Sequence, residues 1–259
     1  MDLGLDGRRA VVTGASRGIG FAVVERLVAE GVEVVAGALH SSPELADLAK
    51  SGPVRIFEVD LADPDGPRQL VDVAGGPIDI LVNNVGSAPA RTGGFLSVTD
   101  DEWLTTINLN LLAAVRATRA ALPTMLAAGR GAIVNTSSVN AVLPDPAVID
   151  YSAAKAALAN FSKALSKEVC GHGIRVNTVS PGPVATSLWL GDSGVARTVA
   201  EASGQDPKDV AAAAARQSLT GRFSQAAEVA DLIVLLASDR AANVTGADIR
   251  IDGGLVTTW

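Results

Sequence analysis

The 259-residue chain has one cysteine, Cys170, two histidines, His40 and His172, and one tyrosine, Tyr151. A lone thiol forms no internal disulfide, and so few thiols and imidazoles do not make a protein metal cage, so no metal is expected. The same scarcity argues against a Ser-His-Asp hydrolase, which needs an imidazole base. No lysine or arginine run occurs and the net charge is −7, so a nucleic-acid backbone is not an expected partner. The N-terminus has early acids and no apolar run, unlike a signal peptide. The most apolar helical stretch, LLAAVRATRAALPTMLAAG, carries Arg116, Arg119 and Pro123 and is not expected to cross a membrane. The expectation is a soluble cytoplasmic protein.

Aromatic residues make up only 3% of the chain, whereas hydrophobic residues make up 48% and glycines number 26. A core built from Val, Ile, Leu and Ala suits buried parallel strands covered by helices. Strand-like runs occur at 8–14, 32–39, 54–60, 78–84, 131–138, 174–182 and 247–252. Helical spacing separates them at 20–31, near 67–74, in one long helix from about Thr99, at 151–170 and at 226–238. Thr99 and Glu102 form a capping-box signature. The alternation implies an α/β fold, a doubly wound sheet of about seven parallel strands with helices on both faces, as one domain over 1–259. Residues 186–222 interrupt the rhythm after the sixth strand and are expected to form a lid over a ligand site.

TGASRGIG, Thr13 to Gly20, joins the first strand to the first helix. Gly14 permits the tight turn, Gly18 allows close backbone approach to a phosphate, and Gly20 allows the helix to pack on the sheet. With Ser16, Arg17 and Ile19, this turn is expected to seat a dinucleotide pyrophosphate at the helix N-terminus. A NAD site usually has an acid at the end of the second strand, where Ala38 stands here. Without that carboxylate, and with Arg17 and His40 nearby, NADP(H) is favoured over NAD(H).

Tyr151 and Lys155 are four apart and share one helix face. A free phenol has a pKa of about 10, too high for acid–base work at neutral pH, and an adjacent ammonium would lower it.

TGASRGIG, NNVG, YSAAK and SPGPVAT, in this order and spacing, resemble the short-chain dehydrogenase/reductase family from about residue 5 to 254. The resemblance implies a single Rossmann-type domain and a four-residue site. Ser138 would bind the substrate oxygen, Tyr151 would transfer the proton, Lys155 would lower the phenol pKa and hold the nicotinamide ribose, and Asn110 would hold the relay water. Ser137 and Asn108 compete for two of these roles; strand alternation disfavours Ser137, and the spacing from Trp103 disfavours Asn108. Asp60 and Leu61 would flank the adenine, Asn83 and Gly86 would line the cofactor, and Val85 stands where the family usually has alanine. Pro181, Gly182, Val184 and Thr186 would position the carboxamide.

The implied activity is reversible hydride transfer between NADP(H), or NAD(H), and a small-molecule carbonyl or secondary alcohol, with a ketoreductase favoured. The closing TGADIRIDGG is also similar to 3-oxoacyl-[acyl-carrier-protein] reductases. Alternatives are an NAD-dependent alcohol or sugar dehydrogenase and, less favoured, a non-catalytic cofactor-binding protein. The candidate pocket, Val139, Asn140, Leu143, Ile149, Pro183, Leu188 and Trp189, is mostly apolar and suits a neutral or acyl-type carbonyl. The family habit implies a homotetramer or homodimer.

Overall fold

Short runs of β-branched residues flanked by glycine turns form the strands, and alanine- and leucine-rich stretches form the helices between them. The computed structural model describes residues 2–258. Strand β1 (Arg9–Thr13) leads into α1 (Gly18–Ala29), β2 (Glu33–Ala38), α2 (Pro43–Ser51), β3 (Val54–Glu58), α3 (Gly66–Asp72) and β4 (Ile80–Asn83). The second half runs α4 (Asp100–Ile107), a π turn (Asn108–Leu112), α5 (Ala113–Ala128), β5 (Gly131–Thr136), α6 (Ile149–Val169) and β6 (Ile174–Pro181). Then come α7 (Ser187–Leu190), α8 (Val195–Ser203), α9 (Pro207–Gln217), α10 (Ala226–Ala237) and β7 (Asp248–Ile251).

All strand pairs are parallel, in the order β3-β2-β1-β4-β5-β6-β7. Successive side chains on a strand point to opposite faces, so each central strand feeds two cores. Val12 and Val134 pack with Val23 and Leu27 of α1 and Val229 and Ile233 of α10. Val11 and Ile133 pack on the other face with Ala117, Ala121 and Met125 of α5 and Leu165 of α6. Strands covered on both faces read as continuous apolar runs, as expected.

Two elements differ from the expectation. Helix α2 is additional; Ser42 caps it by accepting from the Leu45 amide at 3.1 Å, with Pro43 in its first turn. The long helix from Thr99 does form, with both halves of its capping box, but the π turn interrupts it. Asp100–Ala128 is long and apolar enough by length and hydropathy to cross a membrane, yet Ala113, Ala117, Ala121 and Met125 of that stretch are packed against the sheet.

The sheet order reverses between β1 and β4. In a doubly wound sheet the crevice at the C-terminal ends of such strands is where ligands bind.

Candidate active site

At the switch point, the Thr13 hydroxyl accepts from the backbone amides of Asn84 at 2.9 Å and Val85 at 3.1 Å. The Asn84 amide group donates to the carbonyls of Thr13 and Gly14, each at 3.2 Å. These bonds fix the glycine turn to the end of β4. Asn84 is a positioning residue whose role the repeated "NN" did not specify.

Gly14 and Gly18 have φ of +67° and +57°, the left-handed region that favours glycine. A Cβ on Gly20 would lie 2.1 Å from the Gly14 carbonyl oxygen and 2.6 Å from Asn84 Nδ2. No side chain caps α1 and no acid occupies its first turn, so its N-terminal amides and dipole face the crevice unneutralised. A Cβ on Gly18 would meet Thr186 Cγ2 at 3.2 Å, which places Thr186 across from the turn. The cradle fits a dinucleotide pyrophosphate, with Ser16 and Ile19 half-buried in it and Arg17 exposed at its edge.

At the far end of β2, His40 is exposed. Ala38 pairs with Glu58 of β3, and Glu58 Oε1 accepts from the Ser41 amide at 2.7 Å. A carboxylate therefore does stand beside the end of the second strand, supplied by the third. Asp60 turns its carboxylate onto the Ala62 amide at 2.8 Å, while Leu61 is buried in the α5-side core.

Around Tyr151 the expected residues come together. Ser138, two residues beyond the end of β5, stands close enough to Tyr151 to favour its phenolate, and Lys155 Nζ lies 5.6 Å from the phenol ring centre. Lys155 Nζ donates to the Thr136 carbonyl at 2.8 Å. A Cβ on Gly86 would fall 2.6 Å from Asn110 Oδ1 and 3.4 Å from Lys155 Nζ, so Gly86 lets asparagine, lysine and the NNVG loop converge. Ser137 is turned away, donating to the Lys155 carbonyl at 3.1 Å.

The two asparagine candidates separate at the π turn. Asn110 is buried; its Oδ1 accepts from the Ser87 amide at 3.2 Å and its Nδ2 donates to the Ser87 and Thr106 carbonyls at 3.0 Å. Asn108 instead bridges the Ala62 carbonyl at 2.6 Å and Arg116 at 2.7 Å. Such turns are frequent at functional sites because the extra residue re-aims a side chain.

Burial pushes the Tyr151 phenol above its ordinary value, with the Ser138 hydrogen bond acting in the opposite direction. The lowering expected from Lys155 does not figure among the causes of this shift. Burial pushes Lys155 itself down to about 8.

Some expected cofactor residues turn inward. Asn83 Nδ2 donates to Thr118 at 3.1 Å and Asn135 at 2.8 Å, leaving its backbone at the strand end, and Val184 belongs to the α1-side core. Pro181 ends β6, and the Gly182 amide donates to the Ile251 carbonyl at 3.0 Å. In the candidate pocket, Asn140 is bound to Ser138 Oγ at 3.2 Å and Val139 is buried. Ile149 and Pro183 are half-buried, and Leu143 and Leu188 are exposed. Trp189 packs edge-on to Phe223 with ring centres 5.3 Å apart.

Comparison with known proteins places this geometry in context. A family model described as enoyl-(acyl carrier protein) reductase matches residues 14–256. The chain is 38% identical to the L-xylulose reductase of Cavia porcellus, covering all of both chains. It is 33% identical to the 3-oxoacyl-[acyl-carrier-protein] reductase of Vibrio harveyi, over 98% of this chain and 99% of the relative. Its backbone superposes with a TM-score of 0.89, at 36% identity and complete coverage of both chains, on L-sorbose reductase from Gluconobacter frateurii, solved with NADPH and L-sorbose.

Proposed function

Because the chain belongs to the short-chain dehydrogenase/reductase family of oxidoreductases, we propose that it is an NADPH-dependent ketoreductase acting on a neutral carbonyl compound. The observation that carries this reading is the convergence of Ser138, Tyr151, Lys155 and Asn110 beside the Gly14–Gly20 cradle. When bound, the nicotinamide supplies the hydride.

The chain's own residues do the rest. The uncapped start of α1 would hold the pyrophosphate. Lys155 would hold the nicotinamide ribose hydroxyls, and Thr186, Gly182 and Pro181 would hold the carboxamide end. Ser138 binds the carbonyl oxygen, and Tyr151 delivers its phenolic proton to that oxygen as the carbonyl carbon is reduced. In alcohol oxidation the proton returns to Tyr151. The side chain of Asn110 is committed to Ser87 and Thr106, so it frames the relay water by holding the kinked helix and the 86–87 backbone against Lys155.

The apolar rim, with Val142, Leu143, Leu188 and Leu190 exposed, suits a neutral ketone. The xylulose, sorbose and 3-oxoacyl substrates named for the relatives are the first to try. Helices α7 to α9 follow the C-terminal end of β6 and would act as a lid over the pocket. Leu104, Leu112 and Leu126 expose apolar surface along α4, the π turn and α5; they support burial against another copy in a homotetramer or homodimer, which sedimentation of Leu104→Glu tests. A cytoplasmic location accords with these readings. Glu58 supports NAD(H) as the second reading for the cofactor, since a carboxylate repels a 2′-phosphate.

The decisive test is Tyr151→Phe, followed by nicotinamide absorbance over a ketone panel. Turnover should fall by about 100-fold or more while NADPH binding, read by fluorescence, survives. A variant that keeps its turnover would overturn the assignment.

A further inference from the structure

Asp150, immediately before Tyr151, has a side chain with no exposure, and the Arg91 side chain paired with it is 11% exposed. Arg91 donates from Nε at 3.1 Å and from Nη2 to Asp150 Oδ2, and from Nη1 to Glu102 of α4 at 2.6 Å. Thr106 of α4 donates to the same Asp150 oxygen at 2.7 Å. Arg91 also ties its own loop to the start of α6, its backbone amide donating to the Ala147 carbonyl at 2.6 Å.

This cluster joins the three segments that carry the proposed proton-transfer residues. The loop from β4 to α4 carries Ser87 and Arg91. The kinked helix carries Asn110, whose amide is bound to both Ser87 and the carbonyl of Thr106. Helix α6 carries Tyr151 and Lys155. A buried ion pair is weak evidence of stability, because desolvation offsets the attraction and apolar replacements are often as stable. One oxygen, Asp150 Oδ1, is buried with no partner, a cost that packing alone does not explain.

Resting on the reading of Tyr151 as proton donor, we propose that Arg91 and Asp150 are positioning residues. They hold Tyr151 and Asn110 in register for proton transfer and, with Glu102, set the charge at the start of the helix that carries Tyr151. Burial alone would raise the Asp150 carboxyl, but the hydrogen bonds from Arg91 and Thr106 outweigh it and keep the group ionised. Besides Lys155 on the same helix, the charged groups at this end of α6 are Arg91 from the loop, Glu102 from α4 and Asp145 from the turn before α6, whose amide donates to Ser152 Oγ at 3.3 Å.

The two charges make opposite predictions. Asp150→Asn removes one negative charge and leaves Arg91 paired with Glu102 alone, which favours phenolate and lowers the pKa controlling alcohol oxidation. Arg91→Met leaves a buried carboxylate, which raises it. Each single variant should lose about 10- to 100-fold in kcat, as expected for a misplaced catalytic group, with KM for NADPH within about threefold. The double variant should return the pKa toward the wild-type value while kcat stays low. Arg91→Lys, which keeps the charge without the fork, should keep the wild-type pKa at reduced kcat, and it serves if either single variant does not fold.

The measurement is kcat and KM over pH for these variants and for Tyr151→Phe, with circular dichroism to count folded protein. Shifts of the same sign, no shift, or a kcat loss equal to the loss of folded protein would overturn the proposal. Turnover retained in Tyr151→Phe would instead overturn the reading on which it rests.

Discussion

Lys155 is a buried ammonium whose Nζ donates to a backbone carbonyl, and its value of about 8 lies below the ordinary 10.5. Between those values the folded state binds fewer protons than the unfolded chain, so stability rises with pH there. The burial penalty is complete below pH 8 and is relieved as pH climbs toward 10.5. Relative to Lys155→Met, the wild-type protein should therefore gain stability between about pH 8 and 10 and show a flat difference at lower pH. Urea unfolding of both proteins across that range checks this; a wild-type stability that stays flat or falls relative to Lys155→Met as pH rises refutes the buried ammonium. Glu58 is the second residue with a separable effect. Glu58→Gln keeps an acceptor for the Ser41 amide but removes a charge beside the end of β2. The NADPH to NADH ratio of kcat/KM should rise about fivefold, roughly 1 kcal/mol for an exposed charge. An unchanged ratio removes Glu58 from the cofactor site.

The turn from β1 to α1 works only if strand, turn and helix close on one another. Because a Cβ on Gly20 would sit 2.1 Å from the Gly14 carbonyl, Gly20→Ala must open the turn and misalign the α1 amides. NADPH affinity should fall by about 100-fold, near 3 kcal/mol, with far-UV circular dichroism unchanged; isothermal titration reads it, and wild-type affinity would mean the cradle is not used. This element was legible in the sequence because its constraint is local, carried by glycines at fixed offsets. The strands and the Thr99 cap were legible for the same reason. Helix α2 was signalled as well, by Ser42 before Pro43 and by Leu45, Leu48 and Ala49 at helical spacing, but its nine residues are few and mostly polar. The π turn was not legible. Its reward is tertiary, since Asn110 finds Ser87 and Asn108 finds Ala62, and nothing in TINLNLL marks an extra residue per turn. The Arg91–Asp150 pair, 59 residues apart, and the Glu58–Ser41 contact were hidden because only the assembled sheet and helices bring them together.

At the scale of the whole molecule, the switch point makes cofactor binding and folding one problem. The crevice is built from the ends of β1 and β4, the start of α1 and the segment after β6, which are separate in the chain and meet only in the folded state. A ligand that binds this assembly and not the unfolded chain stabilises it by RT ln(1 + [L]/Kd), about 2.7 kcal/mol at a hundredfold excess over Kd. For a chain of this length each kcal/mol shifts Tm by roughly 2–4 °C. NADPH at that excess should thus raise Tm by about 5–10 °C at fixed protein concentration. Gly20→Ala at the same NADPH concentration should lose most of the shift, because its site is open, while Tyr151→Phe should retain it, because its cradle is intact. Differential scanning calorimetry of the three proteins separates binding from chemistry. An equal shift in the glycine variant would place the dinucleotide elsewhere than the β1–β4 crevice.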